Sequence, residues 1–418
     1  MRSAALLALS VLFSAACLHA QSRSVLQPSV PRSADELGPR GIDAGDYVYV
    51  SGQGPSRAEG GASTKFANQV RQCLEKVRAV IEAAGLTKDH IVYAQVYLED
   101  TSHYAELNEA FADYFPKDPP ARAVLGVARL PESPLQISAV AVRDLERKQP
   151  VSPPNLTPNK GFSAGMLTHD RLFISTMPGS DPANRTIPQD PAAQVDSALD
   201  RLRSVLEAAG LTMAHMVFVN PYLTSEVPMR IMNERYAQRF EFGNTPARAT
   251  IEVSSLPEGA HIAFTGVAVR DLDRRRAIRP RNMPPSPTAS PCVFAGDTLY
   301  CSAKSGFIPG LNGGIYASAT SDQTRQTMRN LLDNLEEADM NFDQVVSTTI
   351  YLDDLSEAAT FANVYKRYFK GALPSQTTVQ QVRPGERKAN QEGHYPTLEQ
   401  VSLIAVRGRL DSNLRPLP

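Results

Sequence analysis

One string constrains this chain more than any other feature: Glu-Ala-Ala-Gly-Leu-Thr occurs at 82–87 and again at 207–212. Repetition at a fixed period marks an architecture built from copies of one unit. The residues before the string repeat too. Gln69-Val70, Leu74, Val77 and Ile81 match Gln194-Val195, Leu199, Leu202 and Leu206, a shift of 125. Gln323, Met328, Leu331 and Leu335 make a third copy after a further shift of 129. The apolar members recur every three or four residues, so each run predicts an amphipathic helix with one buried stripe. Gly85 and Gly210 stand where a C-terminal cap needs a left-handed residue, and the third copy has Asp339 there, which suits that conformation less well.

Each unit continues in the same order. A strand ending in Ser precedes the helix: Tyr47–Ser51, Arg171–Ser175 and Leu299–Ser302. A β-rich run follows it: Val92–Leu98, Val217–Leu223 and Val345–Leu352. A second helix carries Asn108, Asn233 and Asn363 and ends in Phe115, Phe240 or Phe242, and Phe369. Then come the loops Pro120-Ala121-Arg122, Pro246-Ala247-Arg248 and Pro374-Ser375-Gln376, and two strands closing on Ala139–Arg143, Gly266–Arg270 and Leu403–Arg407. The expectation is an α+β protein of three tandem domains, 24–148, 161–273 and a divergent 290–410, which agrees with 418 residues at ~150 per domain. Gln149–Lys160 and Ile278–Pro291 are rich in Pro, Asn and Ser and read as linkers. Arg274-Arg275-Arg276 reads as a solvated linker, and Arg383–Thr397 as a surface loop inserted in the third copy.

The first 20 residues differ from the rest. Arg2 is followed by an apolar run, Ala4 to Ala16, too short to span a bilayer but suited to a secretory signal cleaved after Ala20. Ser14-Ala15-Ala16-Cys17 leaves open a lipoprotein signal with Cys17 as lipid carrier. Either way the chain is expected in a secreted or periplasmic, oxidising compartment. Cys292 and Cys301 flank a hairpin whose two-residue turn, Gly296-Asp297, puts them opposite one another at a non-hydrogen-bonded position, so a disulfide is expected. Cys73 lies on the buried stripe of a helix and reads as core. The net charge of −1 gives no support to nucleic acid or an anionic membrane as a bulk partner. Walker-type and dinucleotide glycine patterns are missing, and no His or Cys pair has zinc-ligand spacing, so neither cofactor nor metal is expected.

The ordered set Ser51-Gly52-Gln53, Gln69, Glu82–Leu86, Asn108, Pro120–Arg122, Leu130-Pro131 and Ala139–Arg143 resembles the RidA/YjgF family. The second copy keeps Glu207–Leu211, Asn233, Pro246–Arg248, Leu256-Pro257 and Val267–Arg270, while the third retains mainly Asn363 and Ile404–Arg407. The resemblance implies a chorismate-mutase-like α+β fold in which three copies make a single-chain pseudo-trimer, monomeric as a chain, with ligand clefts between neighbours. It further implies hydrolysis of enamines and imines of small 2-keto acids, with Arg122 and Arg248 gripping the substrate carboxylate through a two-point guanidinium fork. Gln376 replaces that Arg in the third copy, and Gln cannot neutralise a carboxylate. The family's water-activating Glu falls at Gln136, Ala263 and Gln400, none of which is a base. Arg40 follows Gly38-Pro39, where the family places Tyr.

Ser51, Ser175, Ser302, Asn108, Asn233, Asn363, Gln136 and Gln376 are the candidate substrate contacts. The bland alternatives are turn hydroxyls for the serines and helix-face hydrogen bonds for the asparagines. Three readings of function stand: weak or altered imine deamination, with water held by backbone groups or Gln136; binding of small carboxylates without catalysis; or a structural trimer mimic with empty clefts.

Overall fold

The computed structural model describes residues 23–28, 37–55, 65–131, 134–181, 184–281, 283–310 and 314–408. The signal segment and Cys17 lie outside the described residues.

The first domain contains β1 (Ser24–Leu26), β2 (Gly41–Asp43), β3 (Tyr47–Gln53), α1 (Phe66–Glu82), β4 (Ile91–Leu98), α2 (Tyr104–Tyr114), β5 (Ala121–Gly126) and β6 (Leu135–Val142). The second contains β7 (Gln149–Val151), β8 (Gly165–Leu167), β9 (Arg171–Pro178), α3 (Pro191–Ala208), β10 (Met216–Leu223), α4 (Met229–Ala237), β11 (Ala247–Arg248), β12 (Ile251–Glu252) and β13 (Ile262–Val269). The third contains β14 (Arg275–Ile278), β15 (Cys292–Ala295), β16 (Thr298–Ser305), α5 (Thr320–Glu337), β17 (Val345–Leu352), α6 (Ala358–Tyr365), β18 (Ser375–Gln380) and β19 (Glu399–Val406). The sheet orders are equivalent: β1-β2-β3-β6-β4-β5 is matched by β7-β8-β9-β13-β10-β11, with β12 also on β10, and by β14-β15-β16-β19-β17-β18. In each, a β-α-β crossover makes the parallel pairing, shared between β11 and β12 in the second sheet, and the rest is antiparallel.

Two segments read as linker take part in sheets. Gln149–Val151 pairs with β8, and Arg275–Ile278 pairs with β15. Arg275 is not solvated linker: its guanidinium donates to the Met216 carbonyl and to Asn244. Phe240 packs on the second core, whereas Phe242 is 63% exposed. Cys292 faces Cys301 across β15 and β16 and is disulfide-bonded to it, with Cα atoms 4.0 Å apart.

Each sheet has two buried faces. The outer face packs on that domain's helices, with Val70, Leu74 and Val77, or Val195, Leu199 and Leu202, in the core. The inner faces meet each other: Tyr97, Leu125, Tyr222, Ile251, Tyr351 and Val379 form one cluster drawn from all three domains. The three sheets therefore surround a common axis, and a single domain alone would expose its inner face to water.

The third core is built differently. Where α1 and α3 bury Val70 and Val195, Cys73 and Ala198, Val80 and Val205, α5 buries Thr324, Thr327 and Asn334. Where β6 and β13 begin with Leu135 and Ile262, β19 begins with Glu399, 1% exposed. The cap after α5 is also unfavourable. Gly85 and Gly210 take φ of 74° and 73°, and Asp339 takes 54° in the same role. Asp339→Gly is expected to raise the stability of the third domain by about 0.5–1 kcal/mol, read as a higher urea midpoint.

Candidate functional site

The seams between domains are fixed by three serines. Ser175 Oγ donates to the Ser163 carbonyl at 2.6 Å and accepts the Arg122 backbone N–H at 2.7 Å. Ser302 Oγ donates to the Ser290 carbonyl at 2.6 Å and accepts the Arg248 N–H at 2.8 Å. Ser51 Oγ donates to the Pro39 carbonyl at 2.6 Å and accepts the Gln376 N–H at 2.9 Å. Each hydroxyl thus pins neighbouring domains together, a role that accounts for these serines without a substrate contact. Their position at the end of a central strand brings the neighbour's Arg, Arg or Gln to the seam.

In the first cleft, Arg122 projects from β5 of the first domain towards β9 and β13 of the second. The cleft, with a free volume of about 30 Å³, is lined by Tyr104, Arg122, Phe162, Thr176, Glu258 and Ala263, among others. Arg122 is 2% exposed. Its Nη2 donates to Asn108 Oδ1, and its plane lies over Phe111 at 4.5 Å and Phe162 at 5.0 Å. Nε and Nη1 are buried with no hydrogen-bond partner. Burial pushes its pKa down to about 10, so it remains a cation near neutral pH. A buried cation with two open donors is costly unless an anion completes it.

The second cleft repeats the arrangement with less enclosure. Arg248 is half-buried, donates to Asn233 Oδ1 at 2.8 Å, and lies 5.1 Å from the Tyr236 ring. Burial again lowers its pKa. In the third cleft, Gln376 is buried beside the Tyr365 hydroxyl, but neither polar atom of its amide has a hydrogen bond of good geometry.

Asn363 does not occupy the place that Asn108 and Asn233 take in the first two copies. Asn108 and Asn233 precede Phe111 and Tyr236 by one helical turn, and the matching residue before Tyr365 is Ala362. Asn363 is exposed on α6, one position round the helix. The third copy has therefore lost both the cation and the carbonyl that orients it.

The threefold arrangement also redistributes the Glu-equivalent positions. Ala263 faces Arg122. By the same relation, Gln400 belongs to the cleft of Arg248 and Gln136 to the cleft of Gln376. Gln136, 8% exposed with Oε1 unpartnered, therefore cannot position water for Arg122. Sequence reasoning missed Glu258, the carboxylate among the residues lining the first cleft. It sits in the Pro257-Glu258-Gly259 turn with φ of 58° and faces Arg185 at 3.4 Å. A non-glycine residue held at positive φ directly after Leu256-Pro257 was the available signal.

The endoribonuclease L-PSP family model matches residues 30–143, 154–270 and 283–385. A RutC family protein of Pyrococcus horikoshii is 36% identical over 113 residues, 26% of this chain and 90% of that protein. A 2-iminobutanoate/2-iminopropanoate deaminase of Salmonella typhimurium is 36% identical over 129 residues, 29% of this chain and 98% of that protein. A chorismatase crystal structure matches 76% of this chain and 93% of its own with a TM-score of 0.52 at 12% identity, a likeness of fold alone. With its family signature occurring three times, the chain belongs to the RidA/YjgF family, also described as endoribonuclease L-PSP, and carries three tandem domains of that type.

Proposed function

We propose that the chain hydrolyses imines or enamines of small 2-keto acids, chiefly in the cleft between its first and second domains. The observation that carries this reading is the Arg122 guanidinium, buried with Nε and Nη1 unpartnered. A substrate carboxylate would accept from Nη1, joined by the second N–H of the neighbouring Nη2, and neutralise the buried charge. Asn108 holds the first N–H of Nη2, and Phe111 and Phe162 fix the plane.

With the carboxylate anchored, the imine carbon lies towards Thr176, Ala263 and Glu258. Water adds its oxygen to that carbon as a proton passes to the imine nitrogen. The resulting carbinolamine expels ammonia and leaves the 2-keto acid. Ala263 supplies no group for proton transfer, which leaves Glu258, an exposed carboxylate that lines the cleft and pairs with Arg185, as the candidate to accept the proton of water. Glu258→Gln is expected to lower kcat at least ~10-fold with little change in KM, in line with loss of a general base. Equal activity of this variant would assign water activation to backbone groups.

A second reading, carboxylate binding without turnover, is favoured by Ala263 itself. Ammonia release from 2-iminopropanoate and 2-iminobutanoate generated in situ distinguishes the two. The Arg248 cleft is proposed as a weaker second site, and the Gln376 cleft as inactive. We also propose that the chain works outside the cytoplasm as a monomer, its three domains replacing three subunits. The Cys292–Cys301 disulfide supports an oxidising compartment.

A further inference from the structure

The three sheets enclose a chamber on their common axis, separate from the clefts. Its free volume is about 110 Å³. That is somewhat less than the ~150 Å³ apolar cavity that takes up benzene in another protein, and enough for one six-membered ring or several waters. Matched positions from the three domains form its wall. Tyr97, Tyr222 and Tyr351 are one such trio. Another breaks the symmetry: Tyr93 and Phe218 are matched by Ser347. The ring missing at Ser347 opens the space, and the third domain lines it with the hydroxyls of Ser347, Thr349, Thr377 and Ser402. The chamber thus carries aromatic rings from all three domains and a cluster of serine and threonine hydroxyls on the third-domain side.

One polar group on this wall is incomplete. Gln95, 8% exposed, accepts at Oε1 from the hydroxyls of Tyr93 at 2.9 Å and Tyr222 at 3.2 Å. Its Nε2 is buried with no partner. An amide N–H₂ left unbonded in the interior is destabilising, so an acceptor belongs there. The chamber's lining holds no charged side chain, and an ion would lose its hydration without a counter-charge.

We propose that this chamber is a binding site for a small, neutral, ring-sized molecule bearing a hydroxyl or carbonyl oxygen. The ring fills the space opposite Tyr93 and Phe218, and its oxygen accepts from Gln95. A hydroxyl can also donate to the serine and threonine wall. The ligand chemistry is the opposite of that of the clefts, where Arg122 and Arg248 call for an anion.

The test is calorimetric titration of the full chain with phenol, which is neutral at pH 7. Saturable binding is expected. It should weaken at least tenfold in Ser347→Phe, which restores the missing ring, and persist in Arg122→Ala. Ser347→Leu is the second variant should the larger ring prevent folding. Absence of saturable binding, as expected of a chamber holding solvent only, overturns the proposal. Binding that survives filling of Ser347, or that is lost with Arg122, also overturns it.

Discussion

Arg122→Ala is expected to weaken binding of a small 2-keto acid, such as 2-oxobutanoate, by about 30- to 1,000-fold, or about 2–4 kcal/mol. The magnitude follows from burial. At an exposed site an arginine–carboxylate pair contributes about 1 kcal/mol or less. Arg122 is 2% exposed, and two of its donors have no other partner. Removing it leaves the ligand carboxylate without a counter-charge among Phe111, Phe162 and Tyr104. Arg248→Ala should cost less, since that guanidinium is only half-buried. Gln376→Ala should cost nothing. Calorimetry on the three variants reads all of these, and equal losses at Arg122 and Gln376 would refute the ranking of the clefts. The variant should remain folded, because the seam rests on the Arg122 backbone N–H, which alanine keeps.

The second large effect concerns stability. Glu399 sits in the third core with Oε1 bonded by Thr327 and Oε2 without a partner. Burial, opposed by Thr327 and reinforced by Asp353, pushes its pKa from 4.5 up to about 8. Between these two values the folded chain keeps a proton that the unfolded chain releases. Stability therefore falls as pH rises from about 4.5 to about 8 and is level above that. The full loss is on the order of 5 kcal/mol. Glu399→Gln removes the titrating group while preserving shape. The variant should lose this slope and be more stable than the parent above pH ~7. Urea unfolding of both chains at pH ~5.5 and ~8.5 measures it, and parallel pH dependence in the two would contradict the account.

The repeat made much of the architecture legible. The stripe of Val70, Leu74 and Val77 recurs so regularly that the helices, their caps and the three-domain order follow from spacing. The polar interior of the third domain was present in the same register as Thr324, Thr327 and Asn334, but matching apolar residues alone passes over it. The site was less legible. Residue types pointed to Arg122 and Arg248, yet each cleft is completed by a neighbouring domain far away in sequence. Linear spacing does not say which neighbour that is. Hence the sequence does not say which cleft Gln136 lines, and nothing in it singles out Glu258. Asn363 was a one-residue error, and on a helix one residue turns a side chain by about 100°. The pinning role of the serines was not legible, because a hydroxyl at a strand end shows its partners only when the neighbouring backbone is in place.

The central claim is that this chain deaminates imines in clefts governed by buried arginines. It is tested most directly by ammonia release from 2-iminopropanoate and 2-iminobutanoate generated in situ, comparing the parent chain with Arg122→Ala and with Arg122→Ala/Arg248→Ala. The account predicts turnover by the parent, most of it lost with Arg122 and the remainder with Arg248. Release no faster than the protein-free background, or release unchanged in the double variant, would contradict it.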